Sequence, residues 1–236
     1  MTEAPGELWV VRLGRMPYRE AVALQEEIRD ARQANAVPDV LLLLEHDPVY
    51  TKGRRTERSD LPMGEEWYLS QGIDVAESDR GGRVTYHGPG QLVGYPIMRV
   101  RDVYGYVNGL ESAMIAALAD EGIQAEAREG LTGVWAGERK IGAIGVHVSR
   151  GVTTHGFAVN VDNDLQPFEW VVACGGDGAQ PTSVLRETGR TGAMPCFCKR
   201  VAWRVADTFG LRQRLVSRER LAEALRGDRE PAPVPA

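Results

Sequence analysis

The sequence predicts an α/β fold of the α+β kind, a sandwich built on a mixed, largely antiparallel sheet with helices packed on it. Three observations predict it. A few segments carry apolar residues at helical spacing, residues 40–44 form one continuous aliphatic run of strand length, and residues 73–100 are rich in β-branched and aromatic residues punctuated by glycine turns. A chain of 236 residues, 43% apolar and 26% charged, can bury a sizeable core as one domain. No repeat or linker divides it. Residues 1–226 are therefore read as a single domain, and the Pro/Ala-rich residues 227–236 as a disordered tail.

Taken in order, residues 8–13 read as a strand. Residues 18–35 follow as an amphipathic helix, with Ala21, Val22, Leu24, Ile28 and Ala31 spaced between charged positions. Pro38 stops it. Residues 40–44 are apolar throughout, as expected of a strand buried on both faces, and Asp47-Pro48 opens a loop. Residues 73–100 parse as strand, turn, strand, turn, strand, broken at Arg80-Gly81-Gly82 and Gly88-Pro89-Gly90. A second helix over 107–121 ends at Gly122. Residues 133–161 read as a meander with turns near Gly137 and Gly151. A glycine-rich loop at 175–178 then leads to helices over 200–209 and 218–225.

Bulk properties exclude several classes. The longest aliphatic run is too short to cross a bilayer, and the N-terminal residues lack a secretory signal, so the expected location is the cytoplasm with no membrane partner. Three cysteines are too few for a disulfide framework. A net charge of −5 argues against nucleic acid as a partner. Lys52, Arg54, Arg55 and Arg58 still form a local basic loop, either a solvated segment or a dock for an acidic protein.

Candidate chemistry falls in three places. The segment Arg80, Gly81, Gly82, Arg83, Val84, Thr85, Tyr86, His87 sets a short strand between glycine turns, which is either a pair of tight hairpins or a backbone that a ligand approaches closely. Lys140 ends a charged hairpin and opens a strand of small residues. It either points to solvent or turns inward, where partial desolvation would make its amine usable as a base. Cys174 ends an apolar stretch and opens a glycine-rich loop, as either a buried thiol or a nucleophile. Cys196 and Cys198 are separated by one residue, the wrong spacing for structural zinc, and no metal site is expected. His46, His87, His147 and His155 are read as hydrogen-bonded structural histidines.

Arg-Gly-Gly-Arg-Val-Thr-Tyr-His-Gly-Pro-Gly-Gln (80–91), Lys-Ile-Gly-Ala-Ile-Gly (140–145), His-Gly-Phe-Ala-Val-Asn-Val (155–161) and Ala-Cys-Gly (173–175), in this order, resemble the octanoyl transferases of lipoate biosynthesis over about residues 8–210. The resemblance implies the fold of the biotin and lipoate protein ligase catalytic domains. It also implies transfer of octanoyl from octanoyl-acyl carrier protein to a lysine of lipoyl domains, the first step of endogenous protein lipoylation. Those lipoyl domains would belong to 2-oxoacid dehydrogenase E2 subunits and the glycine cleavage H protein, and no cofactor is implied. Cys174 would carry the acyl thioester, with Lys140 lowering its pKa.

By the same resemblance, residues 80–87, Ala143, Ile144, Gly145, Gly156, Phe157 and Ala158 would line the substrate pocket. Where the family usually has glutamine this chain has Arg83, and Ala173 stands where it often has proline. Backbone N–H groups near Gly156 to Ala158, or at Cys174-Gly175, are candidate oxyanion donors. Two rival readings are an ATP-dependent lipoate or biotin ligase of the same fold and a non-catalytic acyl-binding module.

Overall fold

The computed structural model describes residues 6–172 and 180–227. Cys174, the tail beyond 227 and the glycine-rich loop lie outside the described residues. Among those described, β1 (Glu7–Met16), α1 (Tyr18–Gln33) and β2 (Asp39–His46) form an opening unit in which β1 and β2 run parallel. The helix stops earlier than its periodicity suggested, because Asn35 already has a left-handed φ of 61°. β3 (Val49–Lys52), α2 (Glu65–Ser70), β4 (Asp74–Glu77) and β5 (Val84–His87) follow, then β6 (Gln91–Ile97) and α3 (Val103–Ala119). Asp102 caps α3 by accepting the Tyr104 N–H at 3.0 Å.

The expected meander is present as β8 (Leu131–Ala136), β9 (Arg139–Ser149) and β10 (Val152–Asn160), preceded by the short β7 (Glu126–Arg128). The C-terminal part holds α4 (Val184–Thr188), α5 (Met194–Thr208), β11 (Arg212–Leu215) and α6 (Arg218–Gly227).

Among the described residues, eight strands make one sheet in the order β11-β1-β2-β6-β10-β9-β8-β7, parallel over its first three strands and antiparallel from β2 onward. A second sheet, β4-β3-β5, lies apart. The continuous apolarity of β2 has the anticipated cause. Leu41 and Leu43 belong to the core under α3 and α5, while Val40, Leu42 and Leu44 belong to the core under α1 and α6. Each side chain fully buried there contributes about 1.5–3 kcal/mol. Cys198 lies on α5 packed against the first core, and Cys196 is exposed on the same helix, as free thiols.

The small sheet has its own aromatic core of Tyr50, Tyr68 and Tyr86, with Phe168 and Trp170 packed against it. The loop of residues 80–83 joins the two sheets, through the Gly81 N–H bonded to Val146 O at 3.0 Å. No helix among the described residues is long and apolar enough to cross a membrane.

Candidate active site

A cavity of about 450 Å³ opens between the 80–87 segment and the middle of β9 and β10. Its size falls within the range of small-ligand sites. On the large-sheet side it is lined by Lys140, Ala143, Ile144, Gly145, Gly156, Phe157 and Ala158, and on the other by Arg80, Gly82, Arg83, Val84, Thr85 and His87. Two positions of the 80–87 motif are not in that lining. Gly81 is the backbone bridge to Val146, and Tyr86 belongs to the aromatic core of the small sheet, the outcome of strand alternation against Thr85 and His87.

Glycine at 145 and 156 is required by space. A Cβ on Gly156 would fall 2.3 Å from Gly94 O and 2.5 Å from Pro96 Cδ, and one on Gly145 would meet Gly81 O at 3.0 Å and Arg80 Cδ at 3.1 Å. Neither backbone can retreat cheaply.

The two arginines of the motif serve as braces. The buried Arg80 guanidinium donates to Thr51 O at 2.6 Å, to Thr51 Oγ1 at 2.7 Å and to Gly81 O at 3.0 Å. Arg83 donates to both oxygens of Asp60, with Nε 3.0 Å from each. Asp60 is fully buried, yet the bonds from Arg83 and the Glu57 N–H outweigh that burial and hold its carboxyl below the ordinary carboxylate value. Asp60 O also accepts the Val172 N–H at 3.0 Å, so this pair fixes the chain two residues before Cys174.

The histidines divide by role. His46 donates through Nδ1 to Met16 O at 2.9 Å and accepts the Tyr95 hydroxyl at 2.7 Å, and burial lowers its pKa to about 4, leaving it neutral. His87 is likewise held neutral, chiefly by burial and then by its neighbour His46, with Nδ1 2.7 Å from Gln91 Oε1. Both are hydrogen-bonded structural residues, although His87 borders the cavity.

His155 does more than a structural histidine. It borders the cavity in a left-handed backbone conformation (φ 58°) within β10, and its Nε2 lies 2.6 Å from Asp79 Oδ1, a bond that depresses the Asp79 carboxyl. Its sequence signal is its place at the head of the His-Gly-Phe-Ala-Val-Asn-Val motif (155–161). Tyr18, Tyr95, Arg55, Glu57 and residues 130–132 also line the cavity without having been singled out for it.

Lys140 lies at the start of β9, and its Nζ sits 4.7 Å from the Trp135 ring centroid. Its backbone is bonded to the chain that resumes after the glycine-rich loop: its N–H donates to Gln180 O at 2.8 Å, and its O accepts the Thr182 N–H at 2.9 Å. The oxyanion expectation needs correcting for Phe157 and Ala158. Both lie between β6 and β9 and pair on each side, so their N–H groups are committed to the sheet ladders. Among the described residues no group of three or more His, Cys, Asp or Glu side chains could hold a metal ion.

The family model of the lipoyl protein ligase A/B catalytic domain matches residues 17–202. An octanoyltransferase of Mycolicibacterium smegmatis is 46% identical over 209 residues, covering 85% of this chain and 88% of its own. An octanoyltransferase of Solibacter usitatus is 51% identical over 168 residues, covering 70% and 76%. Among solved structures, a lipoate-protein ligase A bound with ATP superposes with a TM-score of 0.73 at 19% identity, over 96% of this chain and 95% of that one. At that identity the likeness speaks for the fold.

Proposed function

The chain belongs to the lipoyl protein ligase A/B catalytic-domain family, and within it we propose that this acyltransferase moves octanoyl from an acyl carrier protein to a lysine of a lipoyl domain through a thioester on Cys174. One observation carries the reading. The Lys140 amine stands at the edge of a cavity floored by small and apolar residues, and its own backbone holds the chain that leaves the glycine-rich loop. Val172 and Gln180, anchored on Asp60 and Lys140, bound the segment that bears the thiol.

The chemistry balances with these two groups alone. The Cys174 thiolate, stabilised by the Lys140 ammonium, attacks the donor carbonyl; the carrier thiolate leaves and takes a proton from Lys140. The substrate lysine then attacks the new thioester, and the Lys140 amine, now neutral, accepts the proton that nitrogen sheds as the Cys174 thiolate departs. Amide and free carrier thiol are the products, and both catalytic groups return to their starting states. One thioester is exchanged for another, so no nucleotide activation is needed.

Ala143, Ile144, Gly145 and Phe157 suit an acyl tail, which at ~0.8 kcal/mol per buried methylene contributes roughly 5 kcal/mol of binding. Arg54, Arg55 and Arg58 form the contact for an acidic partner. Lys52 takes no part in it, being paired with Glu65 at 2.7 Å and Glu77 at 2.6 Å, whereas Arg54 and Arg55 are exposed and their N–H groups are tied to Arg80 O and Gly82 O at the cavity rim. The lipoyl domains of 2-oxoacid dehydrogenase E2 subunits and the glycine cleavage H protein are the acceptors that fit this reading.

The test is transfer from purified octanoyl-carrier to a lipoyl domain with ATP removed by a hydrolase. Full transfer supports the proposal. A strict need for ATP sinks it in favour of the ligase reading.

A further inference from the structure

Resting on the reading of Lys140 as the amine of the Cys174–Lys140 pair, we infer that Trp135 is the positioning residue of that amine, holding the ammonium on the face of its indole and so aiming it at the cavity edge. Four features of the described residues converge on this contact. The first is register. β8 and β9 pair Val134 with Gly142 but Trp135 with Lys140, so β9 carries one extra residue, Ile141, at that step. Such a bulge re-aims the flanking side chain, and it sets Lys140 directly opposite Trp135.

The second is distance and burial. Nζ lies 4.7 Å from the ring centroid and Trp135 is fully buried, so the attraction between ammonium and ring acts with little screening by water. The third is the space left for the lysine stem. A Cβ on Gly133 would fall 2.8 Å from Lys140 Cε and 2.7 Å from Gly142 O, so the path of Lys140 across β8 exists only because residue 133 is glycine. Glu111 on α3 fixes that glycine by accepting its N–H at 2.9 Å.

The fourth is the anchoring of the indole. The Arg128 guanidinium lies 5.5 Å from the same ring centroid and is itself held by Glu126 and Glu138. A ring fixed in this way can orient a flexible four-carbon amine, which the lysine backbone alone cannot do. The mechanism asks Lys140 to be an ammonium in the first half-reaction and an amine in the second. The indole contact keeps the nitrogen in place through both.

The experiment uses the full chain labelled with 5-fluorotryptophan, the Trp135 signal being assigned by its loss in Trp135→Phe. Across an alkaline titration, the Trp135 fluorine signal of the unsubstituted protein should move through one midpoint, and this movement should vanish in Lys140→Met. A Trp135 signal that stays flat in the unsubstituted protein, or titrates equally in Lys140→Met, overturns the inference.

Transfer kinetics give a second reading. Trp135→Phe, which keeps an aromatic face, should retain most of kcat. Trp135→Leu, checked to be folded, should lose roughly tenfold in kcat with KM within about twofold. Equal kcat in the Leu variant, or a loss as large in the Phe variant as in the Leu variant, also overturns it. The fluorine titration reports the contact whether or not Lys140 takes part in transfer. Lys140→Met with full transfer activity would therefore condemn the catalytic reading while leaving the contact measured.

Discussion

Replacing Arg83 by methionine removes the charge from a brace while keeping most of the apolar stem. Asp60 is 0% exposed and Arg83 23% exposed, and the pair makes contacts of 2.5, 3.0 and 3.0 Å. Breaking a buried pair by deleting one partner costs about 3–5 kcal/mol. The partial exposure of Arg83 and the Glu57 N–H that remains on Asp60, at 2.9 Å, reduce this to about 2–3 kcal/mol. For a chain of this size that is a fall in Tm of about 5–10 °C at pH 7.

The pH dependence has a definite sign. Folding lowers the Asp60 carboxyl below its ordinary value of 3.8, so the pair's contribution is complete above that value and is lost as pH falls through the folded one. In Arg83→Met the carboxylate is buried without its cation and binds a proton more readily. The stability gap between the two proteins must therefore narrow as pH is lowered from 7 toward 4. Calorimetry across this range measures it, with Arg83→Gln as an intermediate that retains one donor. A gap below 1 °C at pH 7, or one that widens in acid, would refute the assignment of Arg83 as a brace.

Three further outcomes follow from the site. Burial lowers the His46 pKa from 6.5 to about 4, so about 3 kcal/mol of stability, complete above pH 6.5, should be lost as pH falls to about 4; urea titrations should show a flatter profile for His46→Gln, and an identical acid loss would count against it. Ala143→Leu should narrow the cavity and displace about two methylenes of the acyl chain, lowering kcat/KM for octanoyl roughly tenfold to thirtyfold while sparing butyryl, and equal losses for both donors would contradict the placement of the tail. Arg54→Glu with Arg55→Glu should raise KM for the acyl carrier at low salt and lose its effect at high salt, whereas an unchanged KM removes the docking role.

Much of the fold was legible because its signals are local. The 3.6-residue spacing of α1 and the two-sided apolarity of β2 follow from which faces are buried, and the glycine turns punctuate β4 through β6 and β8 through β10. What escaped was set by distant pairing. β11 is wholly exposed, and it is a strand because it extends the parallel edge beside β1. β3 lies where Asp47-Pro48 opens a loop in the sequence, and only its pairing with β4 and β5 makes it the centre of a second sheet.

At the site, the motif residues Ala143 to Gly145 and Gly156 to Ala158 meet because β9 and β10 pair in register, which a hairpin reading already implied. Arg83 and Asp60 lie 23 positions apart and His155 and Asp79 lie 76 apart, so no spacing rule could join them. The bulge that sets Trp135 against Lys140 is equally silent in sequence, since it depends on the register between two strands.

The central claim is the thioester on Cys174. Intact-protein mass spectrometry after brief exposure to octanoyl-carrier, without acceptor, tests it most directly. The account predicts an octanoyl adduct on the unsubstituted protein that hydroxylamine removes, that a lipoyl domain discharges, and that is lost in Cys174→Ala and diminished in Lys140→Ala. Protein that transfers octanoyl at full rate yet never carries the adduct, or Cys174→Ala that still carries it, would contradict the account.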